Sequence, residues 1–237
     1  MLSSTFHTFL YQPLFNALIF LYQTVSFYDL GIAIIVLTVV IRFVLYPVSQ
    51  KGIRSQREMF AIQPLIKKIQ EEYKGRKEEQ MKRTMALYKE KKINPFSGCL
   101  PILIQLPVLI ALYWVFMAGF DDKSLENLYG FIQNPGPINH IFLGFIDISR
   151  KNIYLAILAG ILQFYQSKMI LNEQMRNQAK GSSQNDFSTT MSKQMTYMMP
   201  MVTVAVSYSL QAGLALYWIT TTAFSIAQQW IIFKKAK

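Results

Sequence analysis

The apolar residues of this chain are gathered into long blocks, and block length limits what such a chain can become. The blocks are residues 30–48, 100–119, 153–171, 195–210 and 213–233. Each is near the length a helix needs to cross a hydrocarbon core of about 30 Å at about 1.5 Å per residue, although the fourth is short. Of the 237 residues, 52% are hydrophobic and only 16% charged. That segregation describes an all-α integral membrane protein with five transmembrane helices rather than a soluble core.

The residues before Asp29 are different. Residues 13–25 are apolar but too short for a span, with Pro13 at the start and Asn16 and Gln23 inside, which suits an N-terminal interfacial helix. Residues 1–28 are therefore read as an extracytoplasmic interfacial segment and 29–237 as the core. Residues 1–28 contain no Lys or Arg, so the basic region of a cleavable signal is missing. The single cysteine, Cys99, excludes an intrachain disulfide and a lipid-anchored start, and reads as a packed, inert thiol.

Cations set the orientation. Lys and Arg concentrate in residues 51–92, in 168–193, and at Lys234, Lys235 and Lys237, and the positive-inside rule places these stretches in the cytoplasm. The cation-free N-terminus faces outward. So does the segment 120–151, where Lys123, Arg150 and Lys151 meet Asp121, Asp122, Glu126 and Asp147. Five spans then close with the N-terminus outside and the C-terminus inside. The net charge of +11 reads as topology and contact with anionic headgroups, not as recognition of a nucleic-acid sequence.

Residues 51–94 read as a cytoplasmic helical hairpin. Ile62, Leu65, Ile66, Ile69 and Tyr73 recur at helical steps, followed by Met81, Met85 and Tyr88, with Gly75 as the turn and Asn94-Pro95 as the stop. Two antiparallel helices of about 20 residues would project roughly 30 Å. The mixed charges are most often a solvated face; the functional alternative is a basic arm that lies on the bilayer or meets a ribosome or another membrane component.

Polar residues inside the apolar blocks are the candidate site. Arg42 is a permanent cation in the first block, where it either snorkels to the headgroups or faces a wet cavity. Thr38 and Tyr46 flank it at four-residue steps. Gln105 lies in the second block, Gln163 and Gln166 in the third, and Gln228 and Gln229 in the fifth. Such amides also serve as interhelical glue, worth roughly 0.6 kcal/mol per bond, and Gln228 and Gln229 are read that way. Gln163 falls near the midplane, so it and Arg42 are expected at neighbouring levels of one cavity. Trp218, Thr222 and Ser225 offer a polar lane on the fifth block, though Trp218 also suits an interfacial belt. Pro101, Pro107 and Pro200 are expected to kink helices. The methionines at 191, 195, 198, 199 and 201 read as gap-filling packing more than as an adaptable surface.

Some chemistry is not encoded. His7 and His140 lie outside the blocks, no ligand set has metal spacing, and no block contains an acidic residue, a nucleophile elbow or a P-loop. No cofactor and no covalent catalysis are expected.

Read in order, I-R-F-V-L-Y-P at 41–47, Q-P at 63–64, M-A-L-Y-K-E at 85–90, N-P-F-S-G-C-L-P-I-L-I-Q-L-P at 94–107 and A-G-L-A-L-Y-W at 212–218 resemble the YidC/Oxa1/Alb3 family of membrane protein insertases. The resemblance implies a five-helix core with a hydrophilic inner-leaflet groove, open to cytoplasm and lipid and closed outside. Such a groove receives polar parts of nascent membrane proteins and releases their apolar segments into the bilayer. By the same resemblance Arg42 is the groove cation, Gln163 its polar neighbour and Trp218 a client-facing aromatic, with Gln105 and Tyr113 as further groove residues; Thr38 and Thr222 complete the lane. The implied partners are nascent membrane proteins and the lipid bilayer, with a Sec-type translocon and the ribosome left open. The chain departs from long relatives, which carry a large extracytoplasmic domain, from short ones with a lipoprotein cysteine, and from those with a ribosome-binding tail. No transit peptide is visible, so the expected location is a bacterial plasma membrane. A channel or anion transporter and an assembly scaffold are the rival readings; the wholly apolar residues 30–37 favour a dead-end groove over a pore.

Overall fold

The computed structural model describes residues 4–94, 100–120, 122–177 and 187–234. Residues 95–99 of the long motif, including Cys99, lie outside the described residues, as do the cations Lys180, Lys235 and Lys237. The described chain is mostly helical, with one small two-stranded hairpin and irregular loops over 126–140 and 148–152.

The N-terminal segment runs from α1 (Ser4–Phe6) through a π-helical turn (His7–Tyr11) into α2 (Gln12–Thr24). Phe15, Leu18, Ile19 and Tyr22 of α2 are buried, recurring at helical steps on one face that packs on α3 (Leu30–Val44). Asn16 and Gln12 donate to the Asn127 carbonyl at 3.0 and 3.2 Å, and the Tyr129 N–H donates to Asn16 Oδ1 at 2.6 Å. This helix is therefore a packed part of the core, held by the 120–151 segment.

The first apolar block does not run straight to residue 48. The helix breaks at Leu45, and α3 and α4 (Tyr46–Glu72) meet at 66°. Pro47 supplies the reason: its nitrogen has no proton for the Phe43 carbonyl, and its ring crowds that carbonyl. The expected hairpin is asymmetric, α4 having 27 residues and α5 (Lys77–Glu90) 14. Gly75, at φ 88°, turns between them. Arg57 Nε of α4 and Arg176 Nη2 of α8 bind Glu173 Oε1 at 3.2 and 2.8 Å, which fixes the base of α4 against α8 (Ile153–Asn177).

α6 (Leu100–Ala118) packs on α2, α4 and α10. After the short α7 (Asp122–Leu125), β1 (Ile141–Phe142) pairs antiparallel with β2 (Ile146–Asp147). α9 (Phe187–Ser209) lies along α8, and α10 (Ala212–Lys234) packs on both α3 and α8 and stands between them. Close approach needs small residues. A Cβ on Gly160 would overlap the Val204 side chain and come within 3.3 Å of the Pro200 carbonyl; on Gly213 it would come within 2.7 Å of the Phe116 ring.

The outer surface of the bundle is apolar. Leu103 and Trp114 on α6, Ile157 and Ile161 on α8, and Met198 and Val202 on α9 are all exposed, more contiguous apolar surface than a water-facing protein carries. Among the described residues, Ile153–Arg176 alone is long and apolar enough to cross a bilayer unaided; the bent α3–α4 pair qualifies only jointly, and Gln105–Ala118 is shorter.

Candidate functional site

Arg42 occupies the last turn of α3 and is half-buried. Among the described residues no carboxylate is within ion-pair distance of it. Its strongest electrostatic neighbour is the hydroxyl of Tyr217, on the facing side of α10. Tyr217 lies only five residues into α10, near the end of the bundle opposite α4. A helical side chain directed toward its own N-terminus brings the guanidinium toward that hydroxyl.

A column of unpaired polar atoms lies beside this cation. The Tyr217 hydroxyl, Thr221 Oγ1 and Gln228 Oε1 are buried without a hydrogen-bond partner. Their spacing of four and seven residues sets them on one face of α10. Tyr217 and Thr221 adjoin one another but do not reach bonding geometry. Gln228 Nε2 donates to the Tyr46 carbonyl at 3.4 Å, just past the Pro47 break. Gln105 Nε2 on α6 and Gln229 Oε1 are likewise buried and unpaired. Each such group costs about 1–3 kcal/mol when nothing bonds to it.

The other expected site residues lie on α3, α6, α8 and α10. Thr38 is buried, and its hydroxyl is spent on the Ile34 carbonyl at 2.6 Å. Gln163 donates to Ser167 Oγ on its own helix at 3.4 Å, with α10 standing between α3 and α8. Trp218 is half-buried, one helical step off the Tyr217 face, and Thr222 is buried. Tyr113 stacks edge-on against Trp114. The residues missed from sequence are Tyr217 and Thr221; Tyr217, Thr221 and Ser225 repeat at the same four-residue step as Thr38, Arg42 and Tyr46, which is the signal that was available.

The opposite end of the bundle is covered. The Ala212 and Gly213 N–H groups, at the start of α10, donate to the Arg150 and Ile148 carbonyls at 2.8 and 3.0 Å. The Asn139 N–H donates to the Tyr22 hydroxyl at 2.9 Å. A cavity of about 160 Å³ there is lined by Leu30, Phe116, Phe120, His140, Ile148 and Gln211. Leu30 begins α3, so twelve residues, about 18 Å, separate that cavity from the level of Arg42. Among the described residues no cluster of His, Cys, Asp or Glu could hold a metal.

Residues 20–237 match the family model described as 60Kd inner membrane protein. A membrane protein insertase YidC of Fusobacterium nucleatum is 33% identical over 230 residues, covering 96% of this chain and 98% of that one. The same-named protein of Francisella tularensis subsp. novicida is 37% identical over 204 residues, which is 85% of this chain but 32% of that longer protein. A crystal structure of an active YidC insertase with its first transmembrane domain resolved shares the fold at a TM-score of 0.61 and 23% identity, covering 92% of this chain and 45% of that one. A bundle with an apolar exterior, a buried cation and the motif order described above thus has matching relatives along nearly its whole length, and the chain belongs to the 60Kd inner membrane protein family, that of the YidC membrane protein insertases.

Proposed function

We propose that this protein is a membrane protein insertase that works without covalent chemistry. Nascent membrane proteins enter a hydrophilic groove in the inner leaflet, short polar tails are carried across, and apolar segments leave sideways into lipid. The observation that carries this reading is Arg42, which among the described residues has no carboxylate within ion-pair distance, near the unbonded Tyr217 hydroxyl, in a bundle that also buries unbonded polar atoms of Thr221, Gln228 and Gln105. A fixed cation and unsatisfied hydroxyls and amides inside an apolar bundle lower the desolvation cost of a polar tail, which is otherwise several kcal/mol for each unpaired group.

In this reading the apolar blocks form five spans, with the N-terminus outside and the α4–α5 arm in the cytoplasm of a bacterial plasma membrane. Gln163 and Trp218 line the path of the client's apolar segment, and Thr38 and Thr222 support the facing helices from within. A Sec-type translocon and the ribosome are further partners. The covered far end supports a dead-end groove over a pore.

The test is insertion of a small single-span protein with an acidic N-terminal tail into liposomes holding only this purified protein, scored by protease protection of the tail. Protection above empty liposomes, lost in Arg42→Ala, is expected. No protection, together with a solute flux through the same vesicles, would replace the insertase with a channel.

A further inference from the structure

At the end of the bundle away from Arg42, two loops hold bulky apolar residues outward. Phe27, Tyr28, Leu143 and Phe145 are 92%, 55%, 56% and 75% exposed. Phe27, Tyr28 and Leu143 do so at φ of 51°, 63° and 52°, a left-handed backbone that costs a non-glycine residue roughly 1–2 kcal/mol. Such strain persists only where the surroundings impose it. Here one side chain does: Asp29 Oδ1 accepts the Ile32 N–H at 3.0 Å, capping α3, while Oδ2 accepts the Leu143 N–H at 2.8 Å. Phe142 closes over Gly31 beneath them, and the Tyr28 ring meets Tyr22 edge-on.

The β1–β2 turn has positive φ at both central residues, Leu143 and Gly144. An Asn-Gly pair forms such a turn with little strain and no exposed apolar side chain. The fold instead places leucine there, next to Phe145 and tied through Asp29 to Phe27 and Tyr28.

We propose that Phe27, Tyr28, Leu143 and Phe145 form an apolar wedge seated in the lipid interface of the leaflet farther from Arg42. Lipid is the occupant because the bundle's outer surface is apolar and the elements that carry or adjoin these loops expose further apolar side chains, Phe20 of α2 and Tyr154 at the start of α8. Aromatic rings at the end of an apolar bundle suit the headgroup boundary. Residues 1–28 contain no Lys or Arg, and the one carboxylate between the tips, Asp29, is spent on backbone N–H groups. The wedge anchors the covered end while the opposite end handles clients. This inference rests on the reading that the bundle spans a bilayer, and does not depend on insertion activity.

The experiment uses the full chain with Cys99→Ser, reconstituted in liposomes and nitroxide-labelled one site at a time at Phe27→Cys and Phe145→Cys. Collision with oxygen is compared with collision with a water-soluble nickel chelate. Ile157→Cys on α8 serves as the lipid reference and Gln133→Cys, in the exposed loop, as the water reference. Labels at 27 and 145 are expected to favour oxygen over nickel, with a ratio resembling that at 157. A ratio matching position 133 overturns the wedge, and so does protection from both reagents, which would mean that protein, such as a second copy, covers the patch. Nickel access at 157 itself would remove the membrane reading and the wedge with it.

Discussion

Tyr217 and Arg42 act at the level of single atoms. The phenol hydroxyl is buried with no partner, so Tyr217→Phe removes an uncompensated polar group. The bundle is expected to be as stable or more so, by up to about 1–3 kcal/mol, when melted in detergent. The same variant is expected to insert clients with polar tails more slowly. Loss of stability together with activity would make Tyr217 merely structural. For Arg42 the charge matters through attraction. Even in bulk water two unit charges at about 4 Å gain about 1 kcal/mol, so Arg42→Ala is expected to slow acidic-tailed clients by at least about fivefold and neutral-tailed ones less. Arg42→Lys keeps the charge without the planar fork and should recover most of the acidic-tail rate in the protease-protection assay. Equal loss for both client types would count against a direct charge effect.

Elements are joined by small residues and backbone bonds. Pro47 breaks the first block and turns α4 through 66°, whereas Pro64, Pro107 and Pro200 sit inside continuous helices; what differs is whether neighbouring packing holds the helix across the missing bond. At the α8–α9 crossing, Gly160→Leu must push Val204 and the Pro200 backbone away. A loss of about 1–3 kcal/mol is expected from overpacking, partly recovered by Val204→Ala in a double-mutant cycle. The 140–150 hairpin has its own pH window. The Ser149 hydroxyl bound to Asp147 Oδ1 at 2.5 Å holds the Asp147 carboxyl below the usual carboxylate value against the opposing effect of burial, with the Ser149 N–H and nearby Arg150 adding to it. A depressed value means the contribution is complete above the unfolded value of about 3.9 and is lost as pH falls through the native one. Hydrogen exchange at the hairpin amides should therefore rise below about pH 4, corrected for its intrinsic pH dependence, and Ser149→Ala should flatten that rise.

The molecule as a whole is polar inside at one end, capped at the other and apolar around. Vesicles containing it are expected to hold an ion gradient while inserting clients, because the 120–151 segment closes the end away from Arg42; a leak through resting protein would contradict that cap. Chain-level features were legible without coordinates, because they depend on composition along the chain: the helical class, the apolar blocks, the Gly75 turn and a cation inside the first block. The motif order was enough to indicate the family. What a linear pattern lacks is the rotation of one helix about its axis relative to the next. The sequence reading named Trp218, Thr222 and Ser225 on α10, and in the fold the electrostatic neighbour of Arg42 on that helix is Tyr217, one residue and about 100° from Trp218. That rotation is set by Gly213 against Phe116 and by the Ala212 and Gly213 N–H groups on the Arg150 and Ile148 carbonyls. Gln163 was placed at the level of Arg42 by depth and by the family resemblance; depth does not reveal that α10 packs on both of their helices. Chain chemistry by itself determined that a cation would lie within an apolar bundle; packing between distant segments decided which side chains face it.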